Sequence, residues 1–209
     1  MKYRLVASIF VASALTSQAV VTAVSTDFDI AFTDIGNVPI PSGTGFIASG
    51  YFSGLADSLI ASSSGSALTT AFKQFTNSSG VFGASGFPGF ASFSSTAERV
   101  GAASPFKDQA LYFVFANGST LATSSQFAVF KASSLIFPDD SAAASDADLS
   151  VKLGGASPTA GTFIVGNTGG VAVIANQNIP TIQMAQIVPE PSALLLSAFG
   201  VLGLLRRKR

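Results

Sequence analysis

The densest gathering of chemically capable side chains in this sequence is Asp139-Asp140-Ser141-Ala142-Ala143-Ala144-Ser145-Asp146-Ala147-Asp148. A hard cation such as Ca²⁺ takes six to eight oxygen ligands, so Asp139, Asp140, Asp146 and Asp148 form a Ca²⁺ candidate. The segment lacks the central glycine and the closing glutamate of an EF-hand loop, and a solvated acidic loop is the simpler expectation. Paired carboxylates can also hydrolyse a glycosidic bond. Between residues 20 and 188, however, the single glutamate is Glu98, beside Arg99, where an ion pair accounts for it, and no spacing among the aspartates selects a partner. The chain has no His and no Cys. That excludes His-dependent nucleophilic catalysis, imidazole and thiolate metal sites, iron–sulfur clusters and disulfides. Gly154-Gly155 and the glycines of 166–170 lack the lysine and the following helix of a phosphate loop. No catalytic residue, and no cofactor beyond the Ca²⁺ candidate, is expected.

The aromatic inventory points the same way. The chain carries 19 Phe, no Trp and 3 Tyr, and past the first few residues only Tyr51 and Tyr112 offer a flat ring with a polar edge of the kind that sugar recognition uses. Charged residues are 11 % of the 209, against roughly 25 % in an average soluble domain. Few cations and a formal net charge of zero make nucleic acid an improbable partner.

That zero averages over three unlike pieces. Lys2 and Arg4 precede an apolar run over 5–15, and small residues follow at Ser17 and Ala19 and at Val21 and Ala23. A basic start, a short apolar run and small residues at −3 and −1 predict a secretory signal peptide over 1–23, with cleavage after Ala19 or Ala23. The run is too short for a stable anchor. The expected partners are the Sec translocon and signal peptidase.

At the other end, Pro189-Glu190-Pro191 is followed by an uncharged run over 192–205 and then by Arg206-Arg207-Lys208-Arg209. Cations after an apolar run favour the cytoplasmic side, which puts the preceding chain across the membrane. As a helix, 192–205 would span about 21 Å, less than the roughly 30 Å hydrocarbon core. It suits a temporary hold. Pro189 and Pro191 remove two backbone donors and keep the segment extended, a form that a protease groove accepts. These residues together resemble the PEP-CTERM sorting signal of exopolysaccharide-producing Gram-negative bacteria. The resemblance covers 188–209 and implies an exosortase, a membrane cysteine protease-transpeptidase, as partner. It implies Pro189, Glu190 and Pro191 as the recognition motif, 192–205 as a transient inner-membrane helix and Arg206, Arg207, Lys208 and Arg209 as a cytoplasmic retention cluster.

Between the two signals lies a passenger over 24–187 with five cations and ten anions, about −5 in net charge. It reads as all-β, a single β-sandwich or jelly-roll-like domain. Alternation over 28–33 predicts a strand. The run over 111–116 ends in Asn117-Gly118, a hairpin signal, with the return strand starting near Ser119 or at Gln126. A second hairpin is expected from 162–165 and 171–174 about the glycine-rich 166–170. Further strands are expected at 151–153 and 181–187, and a helix over 66–75, where Leu68, Phe72 and Phe75 share a face. The Gly/Phe-rich segment 80–93 is expected to fold its rings back onto the sheet; the sharper alternative is a sticky surface for self-association. The expected role is an exported structural or adhesive unit of the cell surface or extracellular matrix. A polysaccharide-binding module is the alternative, and a hydrolase comes third.

Overall fold

The structure is a computed structural model that describes residues 19–26, 28–83, 86–98, 104–138 and 147–188. The chain runs through β1 (Ala19–Ser25), β2 (Ala31–Thr33), β3 (Phe46–Phe52), α1 (Asp57–Ile60), α2 (Gly65–Ala71), β4 (Phe72–Gln74) and β5 (Ser92–Glu98). It continues through β6 (Ala110–Ala116), β7 (Gln126–Ile136), β8 (Ala147–Lys152), β9 (Gly161–Val165), β10 (Asn167–Ile174), β11 (Gln177–Gln183) and β12 (Ala185–Gln186). The described residues are mostly strand. Among them no helix is long and apolar enough to cross a membrane. Residues 1–18 of the signal peptide expected over 1–23, and the membrane helix expected over 192–205, lie outside the described residues, and 19–23 are strand rather than part of an N-terminal signal helix.

The largest sheet has the order β12-β7-β6-β3-β4, with β9 also pairing β7. Its middle strand, β6, shows why the run over 111–116 is apolar at every position rather than at every second one. Leu111, Phe113 and Phe115 face one core and Tyr112, Val114 and Ala116 face another, so both faces are covered. The first core also holds Val20, Val24, Phe93, Leu149 and Val151, from β1, β5 and β8. The second is closed by Ile60 of α1 and Leu68 of α2.

A second sheet, β5-β1-β8, therefore lies against one face of the large one. Its central strand pairs antiparallel with β5 and parallel with β8. Val20, Thr22 and Val24 point inward, and the hydroxyls of Thr22 and Ser49 share a buried hydrogen bond of 2.7 Å between the two sheets. The first five residues of β1 belong to the segment expected as signal peptide.

The third sheet, β10-β11-β2, differs from expectation in its connections. The segments 162–165 and 171–174 are both strands, but they are not a hairpin. β9 pairs with β7 while β10 pairs with β11. Gly166, at φ +110°, redirects the chain between the two sheets. The hairpin is instead β10–β11, closed by Ala175 and Asn176, both at positive φ as a two-residue type I′ turn requires. Two other elements are shorter than expected. The helix stops at Ala71 because Phe72 turns extended, opens β4 and pairs with Phe52 of β3, and the strand expected over 28–33 keeps only 31–33. The return strand after Asn117-Gly118 begins at Gln126, the later of the two expected starts. Asn117 Oδ1 accepts from the backbone N–H groups of Ser125 and Gln126, at 3.0 Å each, and so ties the loop shut.

Candidate functional site

The third sheet leaves an apolar recess on the surface. Ala31, Phe90, Ala172, Ile174 and Ile179 form a small separate core beneath β10 and β11. Phe28 and Phe87 stand over it at the rim, 51 % and 43 % exposed. The Phe28 ring lies edge-on to Phe90 at 5.0 Å and to Phe87 at 5.8 Å, an arrangement that aromatic quadrupoles favour. A cavity of about 270 Å³ opens between these rings and the hairpin, with Gln177 its polar lining residue. Phe28 also borders a second cavity of about 420 Å³, lined besides by Ser25, Thr26, Asp29, Phe90, Ala91 and Ser92. Phe28 has φ +62°, a left-handed conformation costly for a bulky side chain. Residue strain of this kind, of order 1–3 kcal/mol, concentrates at binding and active sites.

Of the Gly/Phe-rich segment 80–93, Phe82, Phe90 and Phe93 are buried while Phe87 remains at the surface. Most of its rings fold back onto the core as expected, and Phe87 stays outside. Nearby, β10 is an edge strand of its sheet, and Val171 and Val173 are exposed at alternate positions. The sequence carried one further signal for this surface, Asn176, which tolerates the left-handed turn that brings Gln177 back beside Ile174.

A second cluster gathers where α1 meets the large sheet. Asp57 opens α1, while Tyr112 and Lys131 are register partners on β6 and β7. The Tyr112 hydroxyl donates to Asp57 Oδ1 and the Lys131 ammonium to Asp57 Oδ2, each at 2.6 Å. The ammonium also lies 5.4 Å from the centre of the Tyr112 ring. Partial burial opposes ionisation of Asp57, but the hydrogen bonds from Lys131 and Tyr112, with the Lys131 charge, outweigh it and hold the carboxyl below its usual range. The bond to Asp57, followed by that to Tyr112, raises the Lys131 ammonium. Burial and the neighbouring carboxylate push the Tyr112 phenol up. Each group is thus held in its resting protonation state, the reverse of what a nucleophilic lysine or an acid catalyst needs. The arrangement ties α1 to the sheet.

Of the Ca²⁺ candidates, Asp139, Asp140 and Asp146 lie outside the described residues. Asp148 stands on β8, where Ser150 Oγ donates to its Oδ1. Among the described residues no three carboxylates gather around a common point. The expected ion pair of Glu98 with Arg99 likewise falls outside what is described.

The C-terminal end of the fold is tightly drawn. Ile187 is buried, its N–H donates to Ser125 O at 2.8 Å, and Val188 bridges Ser64. Pro189, Glu190, Pro191 and the cluster Arg206, Arg207, Lys208 and Arg209 follow outside the described residues. Residues 188–209 match the family model of the PEP-CTERM protein-sorting motif. The chain carries a PEP-CTERM sorting signal. Such a signal implies export, membrane-anchored transit and interaction with an exosortase. No curated protein and no solved structure matches the chain. The last described residue of the fold, Val188, stands directly before the first proline of this sorting signal.

Proposed function

We propose that this PEP-CTERM protein is a non-enzymatic structural or adhesive unit of the cell surface or extracellular matrix. The passenger is a β-sandwich delivered by Sec export and released near Pro189-Glu190-Pro191. In transit the 192–205 helix holds it in the inner membrane with Arg206 to Arg209 on the cytoplasmic side. The observation that carries the adhesive reading is the open aromatic rim, where Phe28 and Phe87 stay half exposed although the third core lies beneath them. Exposed apolar surface of this kind marks contact sites, and a second copy of the chain is the partner we assign to it.

Two experiments test the two halves. Changing Pro189, Glu190 and Pro191 together to alanine abolishes processing in the native host, so intact mass shows the unprocessed tail; an unchanged mature mass sinks the sorting assignment. Phe87→Ser lowers the sedimentation-velocity mass average of the exported protein at high concentration. Equal association of wild type and variant sinks the adhesive reading. A polysaccharide-binding role is the second reading, favoured by the position of Phe28 between an apolar cavity and one lined by Ser25, Thr26, Asp29 and Ser92. Retention of the wild type on the host's exopolysaccharide, lost in Phe28→Ser, selects that reading.

A further inference from the structure

The geometry points to cleavage of the precursor between Ala19 and Val20, with β1 entering its sheet only after that cut. The inference rests on the export reading above and deepens it. Ser17 with Ala19, and Val21 with Ala23, satisfy the small-residue rule of signal peptidase equally well. The fold separates them. The pairing of β1 runs from Ala19 opposite Glu98 to Ser25 opposite Ser92 on one side, and from Val20 opposite Ala147 to Ser25 opposite Lys152 on the other. Its inward residues are Val20, Thr22 and Val24, at 3 %, 0 % and 1 % exposure.

A cut after Ala23 removes Val20 from the first core together with the buried Thr22. It takes from the buried Ser49 hydroxyl its partner at 2.7 Å and leaves Val24 and Ser25 as all that separates β5 from β8. Buried hydroxyls and backbone groups without partners are costly, and a two-residue remnant cannot satisfy the facing edges of two strands. A cut after Ala19 leaves Val20 to Ser25 whole, so that the mature chain begins at the first residue paired on both sides.

The same register sets the order of events. Signal peptidase must hold its substrate extended around the cut bond, and Val20 cannot lie in that groove while paired with Ala97 and Ala147. Those partners lie 77 and 127 residues further along the chain. The central strand of β5-β1-β8 therefore pairs only after the cut, and the uncut precursor is held short of its complete fold.

The test uses the full chain in an exosortase-bearing Gram-negative host. N-terminal sequencing of the exported protein should read from Val20. A start at Val24 overturns the inference and leaves the export reading intact, whereas an exported chain retaining Met1 overturns both the inference and the signal peptide. Ala23→Leu should be processed to Val20 like the wild type, Ala19→Leu should lose the Val20 start, and the double variant Ala19→Leu/Ala23→Leu should accumulate as precursor. The reverse pattern overturns the site, and N-terminal sequencing reports it even where a variant folds poorly. Externally added protease should degrade the Ala19→Leu/Ala23→Leu precursor and spare the mature wild type; equal resistance of the two overturns the order.

Discussion

β6 and the Val-Ala-Val-Ile half of β10 are both uncharged and apolar, yet they sit in opposite surroundings. In β6, Ala-Leu-Tyr-Phe-Val-Phe-Ala, Leu111 through Ala116 are all buried because one sheet covers one face and two short helices cover the other. In β10, Asn-Thr-Gly-Gly-Val-Ala-Val-Ile, only Ala172 and Ile174 are buried, while Val171 and Val173 face outward on an edge strand. The apolar side chains of β6 are accounted for by the core they fill. Those on the outer face of β10, with Phe28 and Phe87 near the same hairpin, fill no core, and that surplus is what is available for contact with other molecules.

The largest expected effect tests the first half of this contrast. Phe115 is fully buried, stacked on Phe32 with ring centres 4.3 Å apart. Phe115→Ala should cost about 3–5 kcal/mol, because the lost transfer energy is joined by a cavity in a region closed on both faces. Urea denaturation of the processed protein measures it through the midpoint at constant m-value. A loss below about 1 kcal/mol would mean that the doubly covered sheet is looser than its packing indicates.

What the sequence made legible divides along the same line. The strand over 111–116 was readable because dense aromatic and β-branched runs act locally, whereas Asn117-Gly118 left the start of the return strand open between Ser119 and Gln126. The sorting signal was readable because charge order and the two prolines are local as well. Partners were not readable. The segments 162–165 and 171–174 look like two arms about a glycine turn, and only long-range burial sends β9 to β7 and β10 to β11. β1 was hidden for another reason: residues 19–23 meet the demands of a cleavage region and of a buried strand at once. Its alternation of inward Val20, Thr22 and Val24 with Val21, Ala23 and Ser25 is visible afterwards, with the Val-Val-Thr run as the signal. The recess beneath Phe28 and Phe87 was foreshadowed only by the phenylalanine content, since composition does not say which rings stay outside.

A smaller effect belongs to the tie between α1 and the large sheet, which sits at the border of the covered region. The Lys131 and Asp57 side chains are 34 % and 37 % exposed, so solvent screens the pair and Asp57→Asn should cost no more than about 1 kcal/mol. Its pH dependence is the sharper readout. Asp57 is held below its ordinary value, so its contribution is complete above the unfolded carboxyl range near about pH 4 and disappears as pH falls through the lower folded value. Lys131 is raised, so its contribution is complete below about pH 10 and fades as pH rises through the folded value. The stability difference between wild type and Asp57→Asn should then be level from about pH 5 to 9 and shrink on either side. A difference that keeps growing towards acid would show that the carboxyl is not paired in solution.

The smallest expected change in stability carries the other half of the contrast. Val173 is 71 % exposed on the outer face of an edge strand, so Val173→Thr removes no buried contact and keeps the β-branched shape that a pleated strand favours. The midpoint of unfolding should move by no more than about 0.5 kcal/mol. If the outward valines of β10 belong to the contact surface with Phe87, sedimentation velocity should nevertheless show weaker association for Val173→Thr, and weaker still when it is combined with Phe87→Ser. The two outcomes separate the regions in a way that no core substitution can, because Phe115→Ala weakens folding and association together. Intact association in the double variant would mean that the open face of the third sheet is surplus without use, and that the adhesive surface must be sought elsewhere on the passenger.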